Sequence, residues 1–178
     1  MPVSNATPPR TSVSTGIILG AALLRLLPHL PNFTPVTALA FFGGARFGDR
    51  KHAILVVFAA MFLSDLIIGF DIASPFVYLA LFCVVLIGEL CRRSRSVAVG
   101  FAGIVSSTLV FFLVTNFGVW ATADFYPKTG TGLLSALAAG LPFLRNSLLA
   151  DLFFSAVMFG CSYIAEKGVF PVAQRRVA

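Results

Sequence analysis

The chain has 178 residues, of which 58% are hydrophobic and only 11% charged, with 19 Phe and a mean hydropathy of +0.93. A soluble domain carries roughly 25% charged residues; the shortfall, with apolar runs along nearly the whole length, excludes an ordinary soluble domain and predicts an all-α integral membrane protein. The formal net charge of +6 sits in short loops between apolar runs, so topology accounts for it and a nucleic-acid partner is not expected.

In chain order, residues 1–13 read as a disordered tail, because no basic region leads straight into an apolar core with a small-residue cleavage site. Six spans follow within a membrane domain over 14–166. The first runs from about Ser14 to Leu27 and ends in a loop with Pro28, Pro31 and Pro35, three prolines in eight residues that cannot continue a helix. The second, Val36 to Phe47, is short and rich in Ala and Gly. The third covers Ala53 to Phe70 and the fourth Pro75 to Cys91, joined by a tight turn at Gly69–Ser74. The fifth runs from Val97 to about Ala121. A long connection, Thr122 to Leu144, holds Tyr126-Pro127-Lys128 and an apolar stretch, Leu133 to Leu141, too short to span and expected as an interfacial or re-entrant helix. The sixth span runs from Asn146 to about Ala165, and residues 167–178 form a second tail.

The basic residues set the orientation. Arg10, then Arg46, Arg50 and Lys51, then Arg92, Arg93 and Arg95, then Lys167, Arg175 and Arg176 all fall on one side; the other side holds Lys128 and Arg145, with Arg25 inside the first span. The positive-inside rule makes that crowded side, with both termini, cytoplasmic. An even span number is then required, and six spans satisfy it.

Polar residues inside such helices are costly unless they face protein, water or a partner. Asp65 lies five residues below the outer end of its span, Asp151 six below Arg145, and Asn116 about five below its helix end, a common depth of roughly 7–9 Å by helix rise. With His29, Asn32, Tyr78, Trp120 and Arg145 they predict a polar, outward-open substrate pocket in an apolar bundle. Asp65 and Arg145 would fix the ligand's polar groups, Tyr78 and Trp120 would pack on its rings, and His29 would serve as a pocket-mouth donor or metal ligand. The bland alternatives are internal bridges among Asp65, Asp151, Arg25, Arg145 and Asn116, and an aromatic belt of Trp120 and Tyr126. In the inner half Glu89 is the main exception, paired in this reading with Arg92 or Arg93. Gly16 and Gly20, and Ala40, Gly44 and Gly48, have the small-residue spacing that lets helices approach closely, within the bundle or against another subunit.

Cys83, Cys91 and Cys161 all lie in apolar runs and read as apolar filling, since their spacing suits neither a disulfide framework nor a zinc site. No phosphate-cradling loop, HExxH motif or nucleophile elbow occurs, so an enzyme is not expected. A membrane enzyme using Asp65 or Asp151 as general base is the third reading, after transport and an assembly subunit.

The segments RLLPHLPNFTPVTALAFFGGARFG (Arg25 to Gly48), SDLIIGF (Ser64 to Phe70), TNFGVW (Thr115 to Trp120), YPKT (Tyr126 to Thr129) and LPFLRNSLLADLFFS (Leu141 to Ser155) resemble an uncharacterised family of small bacterial membrane proteins. That family is similar to the substrate-binding S components of energy-coupling-factor vitamin transporters, in particular the solitary cobalamin-uptake (BtuM) type. The resemblance implies a six-helix, S-component-like bundle in the bacterial inner membrane, holding a vitamin or similar micronutrient, cobalamin among them, at the extracytoplasmic face. It would put His29, Asp65, Tyr78 and Arg145 around the ligand. It also implies a transmembrane and ATPase module as partner, unless the protein acts alone; no bound cofactor is required. The cobalamin type can ligate cobalt through a cysteine, but no cysteine lies in the outer loops here, and Cys83 is about 12 Å inside its span. Gly16 and Gly20 approximate the Ala-x-x-x-Ala docking motif of the first helix in S components. The competing reading is a structural or assembly subunit of a membrane complex with no small-molecule ligand.

Overall fold

The computed structural model describes residues 9–28, 30–94 and 96–169, and every regular element among them is helical. The expectations placed on His29, on Arg95 and on residues 170–178 therefore lie outside the described residues.

Helix α1 (Pro9–Leu23) begins inside the stretch expected to be a tail and ends in a 3-10 turn, Leu24–Leu26. The proline loop then turns the chain: Phe33 N–H donates to Leu30 O at 2.9 Å, and Asn32 takes a left-handed φ of 56°. Asn tolerates that conformation better than other side-chain-bearing residues. Helix α2 (Val36–Arg46) starts directly after Pro35.

Asp49 caps α3 (Arg50–Ile68), accepting from the Lys51 and His52 N–H groups at 3.2 Å each. Gly69, at φ 101°, stops it with a backbone shape that residues bearing a Cβ avoid. In the following turn Asp71 accepts from Ala73 N–H, its own N–H donates to Ser74 Oγ, and Pro75 opens the first turn of α4 (Ser74–Cys91). Helix α5 spans Val97–Thr122 and α6 spans Gly130–Val169.

Four helices, α3 to α6, are long and apolar enough to cross a membrane. Their outward faces are apolar: only 17% of the most hydrophobic window of α5 is buried, and Leu66, Ile67, Leu90, Phe101 and Phe153 are all more than half exposed. A surface that apolar suits a lipid surround, as the composition requires.

Helix α2 differs. At 11 residues it rises about 16 Å, half of a bilayer core, and every residue from Val36 to Gly44 is buried. It is the central rod on which α1, α3, α4, α5 and α6 all pack. Its Gly and Ala content makes that packing close. A Cβ built on Gly44 would lie 2.0 Å from Val85 O, and one on Gly88 would lie 2.3 Å from Phe41 O, so the α2 and α4 backbones touch through paired glycines. Around this contact the core gathers Leu39, Phe42, Val57, Met61, Leu81 and Val84. Gly16, Gly20 and Gly48, which share the small-residue spacing, have nothing within 4 Å of a built Cβ. The glycine spacing of α1 is therefore not a close helix contact within this chain.

Helix α6 corrects a second expectation. The stretch Leu133 to Leu141 is not a separate interfacial or re-entrant element; it is the beginning of one 40-residue helix that continues through Pro142. That helix is about 60 Å long, twice a bilayer core. Proline is tolerated there because it removes one interior hydrogen bond while α5 supports the flanking turns. Gly140 lies against Asn116 and Phe112, Gly132 lies against Pro127, and the turn before it is tied by Trp120 Nε1–H donating to Pro127 O at 2.9 Å.

Candidate functional site

One end of the bundle carries the proline loop and the α5–α6 connection; the opposite end carries Arg46, Arg50 and Arg92 and is called the basic end. The residues singled out from the sequence fall into two groups and two outliers.

The first group forms around Asp65. Its Oδ1 accepts from Arg25 Nη1 at 2.9 Å and its Oδ2 from Tyr78 O–H at 2.7 Å. Arg25 also donates to Ser64 Oγ and approaches Met61 Sδ at 3.5 Å. The side chains of Arg25 and Asp65 are only 15% and 9% exposed. Local chain shape makes this meeting: the 3-10 turn after α1 swings Arg25 onto α3, and Tyr78, one turn into α4, reaches back across the short α3–α4 connection. Tyr78 in turn packs edge-on to Phe58. The cation that answers Asp65 is thus Arg25, from the first helix, and not Arg145. Each Asp65 carboxylate oxygen accepts one of these hydrogen bonds, and an apolar cleft of about 140 Å³ between α1 and α3 lies beside the cluster, touching Ser64.

The second group forms between α5 and α6. Asp151 is 2% exposed and accepts from Thr108 O–H at 2.7 Å, while the Ala38 N–H in the first turn of α2 faces its carboxylate. Just above it Asn32, Thr108, Thr115, Asn116 and Ser147, together with Phe111, Phe112, Phe143 and Leu144, line a part-polar cavity of about 80 Å³, called the polar cavity. Asn116 donates to Phe112 O at 2.8 Å, and its side-chain oxygen lies beside Gly140. The proline loop covers this region, with Phe33 stacked on Phe153 and Phe154 and with Asn146 donating to Pro31 O at 3.1 Å.

The outliers are Arg145 and Trp120. Arg145 is exposed and lines none of these cavities. Trp120 is engaged with the backbone of the α5–α6 connection, where Lys128 Nζ donates to Trp120 O and Ala123 O. The expected single hollow holding Asp65, Tyr78 and Arg145 is therefore not formed: an acid buried in an apolar bundle takes the nearest cation, and that cation is Arg25.

The sequence reading missed the basic end. There a cavity of about 570 Å³ opens between α2, α4, α5 and α6. Phe41, Phe101 and Phe159 form its walls, Arg46, Arg92 and Ser94 its rim, and Ser155, itself buried, contributes to its lining. The Ser155 hydroxyl is shut off from solvent and has no hydrogen-bond partner among the described residues. Arg46 pairs with Glu166 and Arg92 donates to Phe47 O, so both cations are held at the rim. Glu89 pairs with Arg50 of α3 at 2.6 Å rather than with Arg92 or Arg93 on its own side of the loop. The available signal was a cluster of basic residues next to small residues, Gly100, Ser155 and Ala156, which leave room between α5 and α6. Of the cysteines, Cys91 lines this cavity, Cys83 is half-buried and Cys161 is exposed, so Cys161 is not core filling. Among the described residues no three His, Cys, Asp or Glu side chains gather as a metal cage.

A family model described as a family of unknown function (DUF6580) matches residues 5–173, and the chain belongs to that family. No curated protein and no solved structure matches it.

Proposed function

We propose that this family member is a substrate-binding membrane transport protein of the S-component kind, taking up a vitamin or similar micronutrient. The observation that supports the reading is a bundle open at one end and shut at the other: a cavity of about 570 Å³ at the basic end, and the Arg25–Asp65–Tyr78 cluster closing the other. Cavities of about 300–1,000 Å³ are the usual size for drug-sized ligands. By the positive-inside rule the basic end and both termini are cytoplasmic, in a bacterial inner membrane. The α1 segment and the short α2 with its proline loop supply the two crossings beyond the four long helices. The conformation is then inward-open. Capture occurs in the outward-open form, after the Arg25–Asp65–Tyr78 contacts part, and Asn32 and Asn116 meet the substrate under the proline loop.

The cavity also speaks to the substrate. Aromatic walls and rim cations suit a ring-bearing molecule with an anionic group. A corrinoid is far larger than a drug-sized ligand, so the volume favours a smaller vitamin over cobalamin. Reorientation is driven by the bundle alone or by a shared transmembrane and ATPase module. Native mass spectrometry of the protein in lipid nanodiscs, against a panel of vitamins, tests this. One retained vitamin, lost in Ala156→Trp, which fills the cavity, is the expected result; a protein that retains none of the panel refutes it.

The second reading, an assembly subunit of a membrane complex, draws on α1, where Gly16 and Gly20 present an open face beside the exposed Leu19 and Leu23. It expects Gly16→Leu to abolish co-purification with a membrane partner while leaving vitamin retention untouched.

A further inference from the structure

Asp151 has a property that neither transport of a vitamin nor packing requires. It is an acid buried in the bundle, and among the described residues no cation pairs with it. The helices packed on α6 are α1, α2 and α5. Between Thr11 and Leu23, α1 carries no ionisable side chain, and α5 carries none over its 26 residues. The one ionisable group of α2 is Arg46 in its last turn, which is paired with Glu166 at the basic end. On α6 itself the nearest ionisable residue is the exposed Arg145, six positions earlier. The groups that do face Asp151 are the Thr108 hydroxyl and the Ala38 N–H. Uncharged donors of this kind hold a carboxylate without fixing its charge, and a buried ion lacking a counter-ion is costly.

Its position adds the second observation. Thr108, which donates to Asp151, is itself in the wall of the polar cavity near the proline loop. That space of about 80 Å³ accepts about two or three waters at about 30 Å³ each. Ser155 lies one helical turn beyond Asp151 on the same face, about 6 Å by rise; the residue borders the cavity at the basic end, and its buried hydroxyl has no hydrogen-bond partner among the described residues. Ser107, beside Thr108, is likewise buried without a hydrogen-bond partner. Asp151 itself lines neither cavity, but a neighbour of it lines each: Thr108 the cavity near the proline loop and Ser155 the cavity at the basic end.

We propose that Asp151 is the central proton-binding site of a proton path along the α5–α6 seam. A water in the polar cavity gives a proton to the Asp151 carboxylate, leaving hydroxide to be reprotonated from that side. The carboxylic acid then releases the proton to water in the basic-end cavity, past Ser155, and the carboxylate is restored. No electron moves and no co-reactant is consumed. The path stands independently of which solute, if any, the protein carries.

The test uses the full-length protein in liposomes that enclose a pH-sensitive dye, with a potassium diffusion potential and no added solute. Proton entry is expected to exceed that of empty liposomes and to fall about a hundredfold in Asp151→Asn, the lower range for loss of a positioned proton-transfer group. Wild-type entry no faster than in empty liposomes, or equal entry in Asp151→Asn, overturns the proposal. If Asp151→Asn does not reach the membrane, Thr108→Val keeps the acid while removing its hydroxyl link to the polar cavity, and entry unchanged there also overturns it. Infrared titration of the same protein is expected to show a carboxylic-acid band that Thr108→Val displaces and Glu89→Gln leaves in place. A band untouched by Thr108→Val, or removed by Glu89→Gln, counts against Asp151 as the site.

Discussion

Removing Arg25 should be among the most damaging single changes in this protein. At 2.9 Å from Asp65 Oδ1, and with an effective dielectric of about 20, the gross attraction is about 6 kcal/mol. Desolvating the two ions offsets most of that, so the pair contributes little net stability against an apolar substitute. Breaking it from one side is different. Arg25→Ala leaves the Asp65 carboxylate, 9% exposed, with Tyr78 as its remaining partner, and the expected loss is about 3–5 kcal/mol. Asp65→Asn should cost less, because Arg25 stands at the end of its helix and can turn its head toward the interface. The double variant Arg25→Ala/Asp65→Asn should therefore be more stable than Arg25→Ala alone. Unfolding free energies from detergent titration in mixed micelles measure all four corners of the cycle. An Arg25→Ala protein within about 1 kcal/mol of wild type, or one not rescued by Asp65→Asn, would refute the assignment of Arg25 as the counter-ion.

Other changes separate the contacts that matter from those that do not. Tyr78→Phe removes one hydrogen bond to a charged acceptor, and the same titration should show a loss of about 1.5–3 kcal/mol. Arg50→Ala should leave stability nearly unchanged, because the Arg50 side chain is 57% exposed and water screens its pairing with Glu89; strong salt should erase any remaining difference. Gly44→Ala drives a Cβ into the α4 backbone, which cannot yield as a side chain can, and should cost about 3 kcal/mol or more. Gly20→Ala, built into open space, should be neutral or stabilising by up to about 1 kcal/mol through helix propensity.

Much of the helical layout was legible because the bilayer leaves few options. Apolar runs bounded by Gly69, by the prolines of the α1–α2 loop and by the arginines after Cys91 placed α3, α4 and α5 to within a few residues of their observed ends. Periodicity was no guide and was not needed, since lipid-facing helices are apolar on most sides. The failures came where tertiary contact decides. Leu133 to Leu141 reads as a separate element because it is too short to span, but it runs on through Pro142 into the sixth span, with α5 packed alongside. The second segment is short and rich in Ala and Gly, but nothing in that composition, shared by tightly packed helices in lipid and in protein, showed that it is the buried rod on which the other helices pack.

The polar residues show the same division between what a sequence states and what a fold selects. That Asp65 needs a partner follows from hydrocarbon surroundings alone; which partner does not, because in the sequence Arg25 and Arg145 both stand beside the ends of apolar runs, whereas the fold leaves Arg145 exposed well inside α6. The choice was made by the 3-10 turn, three residues whose only signature is their position before Pro28. Once Arg25 is taken, Asp151 has no arginine left within the bundle and settles for a hydroxyl and a backbone amide. One cation serving one of two buried acids leaves the loop end sealed at Asp65 and responsive at Asp151. The proposed gate and the proposed proton path therefore share a common origin: a shift that released Arg25 from Asp65 would change the charge balance of the same end of the bundle to which Asp151 responds.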